Sequence, residues 1–130
     1  MPDLDFSELD DLAADFGRLA EELVPHASAA VKLTAANVKA AWAGKLKGSR
    51  GLPQASRSIR YAMLTKSTSK ISAEVRPRLG GQGSLVWAVE FGSLSTAPRN
   101  YGRNSAQENT DAFVDGINKA VAEAERAAGF

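Results

Sequence analysis

A chain of 130 residues with a net charge of +1 has room for one domain, which can bury roughly two thirds of its unfolded surface in a single core. It contains no cysteine, which excludes a disulfide framework, a zinc knuckle and a thiol nucleophile, and it gives no sign of an oxidising compartment. The small total hides a sorting by position. From Met1 to Val24 eight acidic residues stand against Arg18 alone, a balance of −7; from Pro25 to Arg78 eleven basic residues stand against Glu74 alone, +10; the remainder carries −2. Such sorting makes one surface that repels polyanions and another that attracts them, or attracts the acidic face of a neighbouring copy. The N-terminus opens acidic rather than basic then apolar, unlike a signal peptide, and no apolar run approaches the ~20 residues of a membrane span. The expectation is a single soluble domain made in the cytoplasm.

From Asp5 onward, Phe6, Leu9, Leu12, Ala13, Phe16, Leu19, Ala20 and Leu23 recur at three- and four-residue steps, the spacing of one apolar helix face. Asp5 with Glu8 suits a capping box, and Asp10, Asp11 and Asp15 fall on the wet face. Pro25 predicts the end or a kink of that helix and suits the first position of a second, where its missing N–H is harmless. In the second, Ala27, Val31, Ala35, Val38, Trp42 and Leu46 share a stripe, many alanines keep the helix thin, and Gly44, Gly48 and Gly51 stop it. A loop follows from Gly48 to Gln54. Pro53 to Met63 reads equally as a short helix or the start of a strand.

From about Lys70 to Arg78, Ile71, Ala73 and Val75 alternate with Ser72, Glu74 and Arg76, which predicts a strand with one apolar face. Gly80, Gly81 and Gly83 predict a turn, after which Leu85, Trp87, Val89 and Phe91 alternate as a second strand, making a hairpin. Ser93 to Gln107 has no apolar period and is expected to be a long functional loop. Helical spacing returns from Glu108 to Ala128 with Phe113, Ile117, Ala120, Val121 and Ala124. The expected fold is therefore one α+β domain: two N-terminal helices, an antiparallel hairpin or small sheet, a long loop, and a C-terminal helix packed on one face of the sheet.

Candidate chemistry is sparse. His26 is the only histidine and reads as a surface or capping side chain at a helix start, so a two-histidine metal site and a histidine-activated nucleophile are excluded within one chain. Asp11 and Asp15, one turn apart beside Asp10, suit a hard cation, but a solvated helix face accounts for them as well. The glycines at 80, 81 and 83 are placed between two strands and so lack the helix N-terminus that makes a phosphate cradle. Glu90, on the face opposite Trp87 and Phe91, reads as a cross-strand or subunit-interface ion pair. Trp42 and Trp87 read as core. No enzyme, cofactor or metal is expected. The basic block keeps two readings open: Arg57, Arg60, Lys66, Lys70, Arg76 and Arg78 line a channel contacting phosphates without reading bases, or they pair with an acidic partner surface.

The segment Val86-Trp87-Ala88-Val89-Glu90-Phe91-Gly92-Ser93, followed by Ala97-Pro98 and a closing helix, resembles the small neck, or head–tail connector, proteins of long-tailed bacteriophages. Gly51-Leu52 with Arg57-Ser58-Ile59 is similar to that family's Gly-x-Leu-Arg-x-Ser-Ile region, though stretched. The acidic first helix and the alanine-rich, lysine-bearing second one also look like its opening. The resemblance covers nearly the whole chain in layout and is specific at residue level over Val86 to Ser93. Arg99 to Ala106 depart from it, standing where the family usually has Pro-Phe-Leu and a Pro-Ala pair. The resemblance implies no catalytic residue. It implies a structural virion protein: a ring, hexameric or dodecameric, at the head–tail interface, touching neighbouring head-completion and tail proteins and surrounding genomic DNA that passes non-specifically. A tail terminator and a non-specific nucleic-acid-binding protein are the alternatives. On the ring reading Asp10, Asp11, Asp15, Glu90, Arg99, Tyr101 and Arg103 are expected at subunit or partner contacts.

Overall fold

The computed structural model describes residues 6–48, 52, 54–67, 70–78, 80–92 and 97–129, and within the first helix the side chains of residue 14 and of 17 onward. The chain order is α1 (Phe6–Gly48), a 3₁₀ turn (Ala55–Ser58), β1 (Ile59–Lys66), β2 (Ile71–Pro77), α2 (Gln82–Phe91), α3 (Tyr101–Glu108) and α4 (Thr110–Ala128). The architecture is α+β and mostly helical, with one two-stranded antiparallel sheet.

The two helices expected before Gly48 are one helix of 43 residues with Pro25 inside it. Proline removes the N–H that would bond the Glu21 carbonyl, at a cost of ~3 kcal/mol. The turn after it is held from two sides. On one side His26 Nδ1 lies 3.2 Å from Glu123 Oε2 of α4, and Ala30 faces Gly116, where an added methyl would make an ordinary contact at 3.6 Å with the Ala30 Cβ. On the other, Ala27 is buried near Ser67, Lys70 and Ile71 at the hairpin tip. His26 is thus a mid-helix residue facing α4, and the expectation that it begins a helix is corrected.

The hairpin is also placed differently. Residues 53–63, left open between helix and strand, divide between both: the 3₁₀ turn over Ala55–Ser58 and then β1. β1 pairs with β2 in the register Ile59 opposite Pro77, Tyr61 opposite Val75 and Met63 opposite Ala73, with an irregularity between Met63 and Thr65. Ile59, Tyr61 and Met63 point inward and Arg60, Ala62, Leu64 and Lys66 outward, the alternation of a half-buried strand. α1 covers the inner face of this sheet, and α4 runs antiparallel along α1 rather than on the sheet itself.

Leu85 to Phe91, expected to be the second strand, is helix α2. Val86 and Ala88 are as apolar as their neighbours, so the alternation was a run readable at either period, and burial selects the helical one: Gly83, Val86 and Glu90 are buried on a single face. The start of α2 needs glycine. A Cβ on Gly83 would fall 1.6 Å from the Arg78 carbonyl oxygen, and Gly80 and Gly81 hold φ of +79° and +54° in the left-handed region. The three glycines therefore join a strand to a helix rather than two strands.

The long loop expected from Ser93 to Gln107 is shortened by α3. Ala97 to Arg99 is irregular, Asn100 takes the left-handed conformation at φ +53°, and the amides of Arg99 and Asn100 donate to the carbonyls of Val89 (3.0 Å) and Glu90 (3.3 Å), tying the entry to α3 onto the end of α2. The core joins these pieces. Trp42 and Leu46 of α1, Leu52, Ala55, Ile59 of β1 and Val86 of α2 form one buried cluster, with Val75, Val89 and Tyr101 packed around it. Leu46, Ile59 and Val86 are almost wholly removed from water, each worth ~1.5–3 kcal/mol of transfer free energy.

Candidate functional site

Three features carry the candidate chemistry, two of them at the α2–α3 junction and one on the hairpin side. The first is Glu90, whose side chain is 5 % exposed. The amide of Gly102 donates to its Oε1 at 2.7 Å and that of Arg103 to its Oε2 at 3.1 Å, so one carboxylate satisfies two of the orphan N–H groups in the first turn of α3 and sits at the positive end of its dipole. The cross-strand ion pair expected for Glu90 is corrected: there is no strand here, and the carboxylate is held by backbone amides. α3 begins without a side-chain bond from its own N-cap Asn100, and Glu90, ten residues upstream, supplies what that position lacks. The same junction fits Trp42 against Gly102, where a Cβ would come within 2.8 Å of the indole ring. Lys45 Nζ closes it from α1, donating to Glu108 Oε2 at 2.7 Å and to Ser105 Oγ at 3.2 Å.

The second feature is an apolar groove of about 530 Å³ between α1 and β2, closed at one end by α2 and α3. Val31, Val38 and Trp42 form its floor, and Val75, Phe91 and Phe113 are among its walls. Trp87 and Phe91 stack with ring centroids 5.3 Å apart and planes 3° from parallel, while Trp42 meets Trp87 edge-on at 6.4 Å. Trp42 is core, as expected; Trp87 is only half-buried, and Phe91 is 67 % exposed. Reading the segment as a strand hid this pair. The i, i+4 spacing of Trp87 and Phe91 was the available signal, since residues so spaced lie together on a helix.

The third feature is the basic block, which does not form one groove. Arg57 and Arg78 flank an open cleft of about 420 Å³ lined also by Gln54, Ser58 and the residues from Gly80 to Gly83. Arg60 and Arg76 lie directly opposite each other on the outer face of the hairpin, where Arg76 Nε also meets Glu74 Oε1 at 3.4 Å. Lys66 and Lys70 are exposed at the hairpin tip. Like charges directly across a strand pair are destabilising, so Arg60 and Arg76 are held together by the fold rather than by mutual attraction.

The remaining expected contact residues divide. Arg99 is exposed, lies over the Tyr101 ring at 6.0 Å and donates from Nη1 to the Tyr101 hydroxyl at 3.3 Å; Tyr101 is half-buried, and Arg103 is exposed on the rim of the apolar groove. The side chains of Asp10, Asp11 and Asp15 lie outside the described residues, although the backbone there is helical. Among the described residues no group of three or more histidine or acidic side chains is arranged to hold a metal ion, and no helix is long and apolar enough to cross a membrane. Compared with protein-family models, with curated proteins and with solved structures, the chain matches none.

Proposed function

We propose that this chain is a structural, non-enzymatic protein of the neck of a long-tailed bacteriophage, made in the host cytoplasm and built into the virion as a ring between head and tail around the DNA channel. The observation that carries the reading is the segment Val86 to Gly92, on which the resemblance rests. Val86 fills the core, the half-buried Trp87 stacks on the exposed Phe91, Glu90 caps α3, and Gly92 ends α2 at φ +76°, so the motif joins a helix stop and a cap to an apolar edge. An exposed aromatic pair beside an apolar groove suits a subunit contact. The Arg99–Tyr101 pair and Arg103 border it, and Asp10, Asp11 and Asp15 offer acidic groups to a neighbour.

The test is mass in solution by light scattering at low and moderate salt, with negative-stain imaging of the main species. Closed rings, or rings formed only on mixing with a neighbouring head or tail component, are expected. Preference for a tail-tube end over a portal-side partner would favour a tail terminator. A second reading, non-specific nucleic-acid binding, is favoured by one observation: a polyanion would relieve the opposed Arg60 and Arg76 beside the Arg57–Arg78 cleft. A monomer binding free duplex, with affinity falling steeply as salt rises, would replace the ring reading with that one.

A further inference from the structure

Two parts of the molecule complement each other and are kept apart by its own geometry. The groove between α1 and β2 is apolar along its floor, and its exposed end is Phe91. One cation, Arg103, lines its rim, exposed and without an acidic partner among the described residues; Lys70 is exposed beyond one end, in a smaller neighbouring pocket that shares Ile71 with the groove. The carboxylate that lines it, Glu90, is buried and bound to backbone amides.

The first turns of α1 have the opposite character. In the sequence Leu9, Leu12, Phe16 and Leu19 recur at three- and four-residue steps along a backbone that is helical from Phe6, and the stretch from Met1 to Val24 carries −7. At 1.5 Å per residue the stripe from Leu9 to Leu19 spans about 15 Å and the groove floor from Val31 to Trp42 about 17 Å. Within one copy the two cannot meet, because Phe16 precedes Val31 by about 22 Å along the same unbroken helix axis.

We propose that the N-terminal turns of α1 dock in the α1–β2 groove of a second copy of this chain, with the Leu9–Leu19 stripe on Val31, Val38, Phe91 and Phe113 and the acidic residues toward Arg103 and the neighbouring Lys70. This is a helix-in-groove contact with charges complementary across its rim. Because the two surfaces differ, each copy uses one and offers the other, and the series closes into a ring or extends as a filament. The inference rests on the ring reading for closure; the contact stands on the groove and the stripe.

The test uses the full chain and two variants, Phe91→Glu in the groove and the double change Leu12→Glu with Phe16→Glu on the helix, each checked for native helicity and thermal midpoint. At about 100 μM, where even weak contacts register, the unaltered chain assembles and each variant alone is a monomer, with association weakened at least ~10-fold. Mixed in equal amounts, the two variants give a heterodimer, because each keeps one competent surface. A monomeric unaltered chain, a folded variant that assembles like it, or a mixture that stays monomeric would overturn the proposal. Closed rings that persist in both variants would sink this contact and leave the ring reading standing. Open chains that both variants dissolve would keep the contact and sink the closed ring.

Discussion

Glu90 exchanges water for two backbone amides, and that exchange decides how α3 begins. A buried carboxylate is costly unless its oxygens are satisfied, and the Gly102 and Arg103 amides at 2.7 and 3.1 Å satisfy both. Glu90→Ala leaves two amides unpaired and is expected to lower unfolding free energy by about 2–3 kcal/mol in urea titration. Glu90→Gln, which keeps one acceptor oxygen, is expected to lose about half as much. If both variants stay within ~0.5 kcal/mol of the parent, the carboxylate is not what holds the start of α3. The glutamate was visible in the sequence as an acid among apolar residues. Its partner was not, because the bond runs to backbone N–H groups twelve and thirteen residues away, which no side-chain pattern reports.

Among the elements, α1 and the hairpin each contain a residue that local rules disfavour and tertiary packing retains. Pro25 lies inside α1, so Pro25→Ala restores a helical N–H and is expected to raise stability by about 1–3 kcal/mol, read from the urea midpoint at unchanged slope. A neutral or destabilising result would mean that the helix breaks there, as the sequence predicts. On the hairpin, Arg60→Glu turns the like-charge pair with Arg76 into an opposite one and is expected to add about 0.2–1 kcal/mol. If the same variant also loses duplex DNA affinity, the opposed arginines are kept for a polyanion; if it loses none, they are a solvated face. The segment from Leu85 to Phe91 shows why elements were only partly legible. Its apolar side chains satisfy a period of two and a helical stripe alike, and the close approach of Gly83 to the Arg78 carbonyl, a contact between two elements, selects the helix.

At the scale of the whole molecule, acidic and basic residues are sorted into separate stretches of the chain, which sets how an assembly would respond to salt. Exposed ion pairs contribute ~0–1 kcal/mol each and are screened within about 10 Å at 0.1 M, whereas apolar burial survives screening. Raising salt to about 0.5 M is therefore expected to slow assembly severalfold in stopped-flow light scattering while leaving the final mass unchanged. Dissociation by salt alone would show that charge rather than the Phe91 groove holds the copies together. The sequence by itself determined the charge sorting, the helical character of residues 6–48 and 110–128, the strand at Ile71–Pro77 and the core role of Trp42, because each is a local pattern of polarity and spacing. Only the tertiary structure decided that α1 passes through Pro25, that β2 pairs with β1 rather than with the segment after Gly83, and where Glu90 finds its partners. Those outcomes depend on which surfaces meet: periodicity says that a face is apolar, and the close packing of one element on another says what covers it.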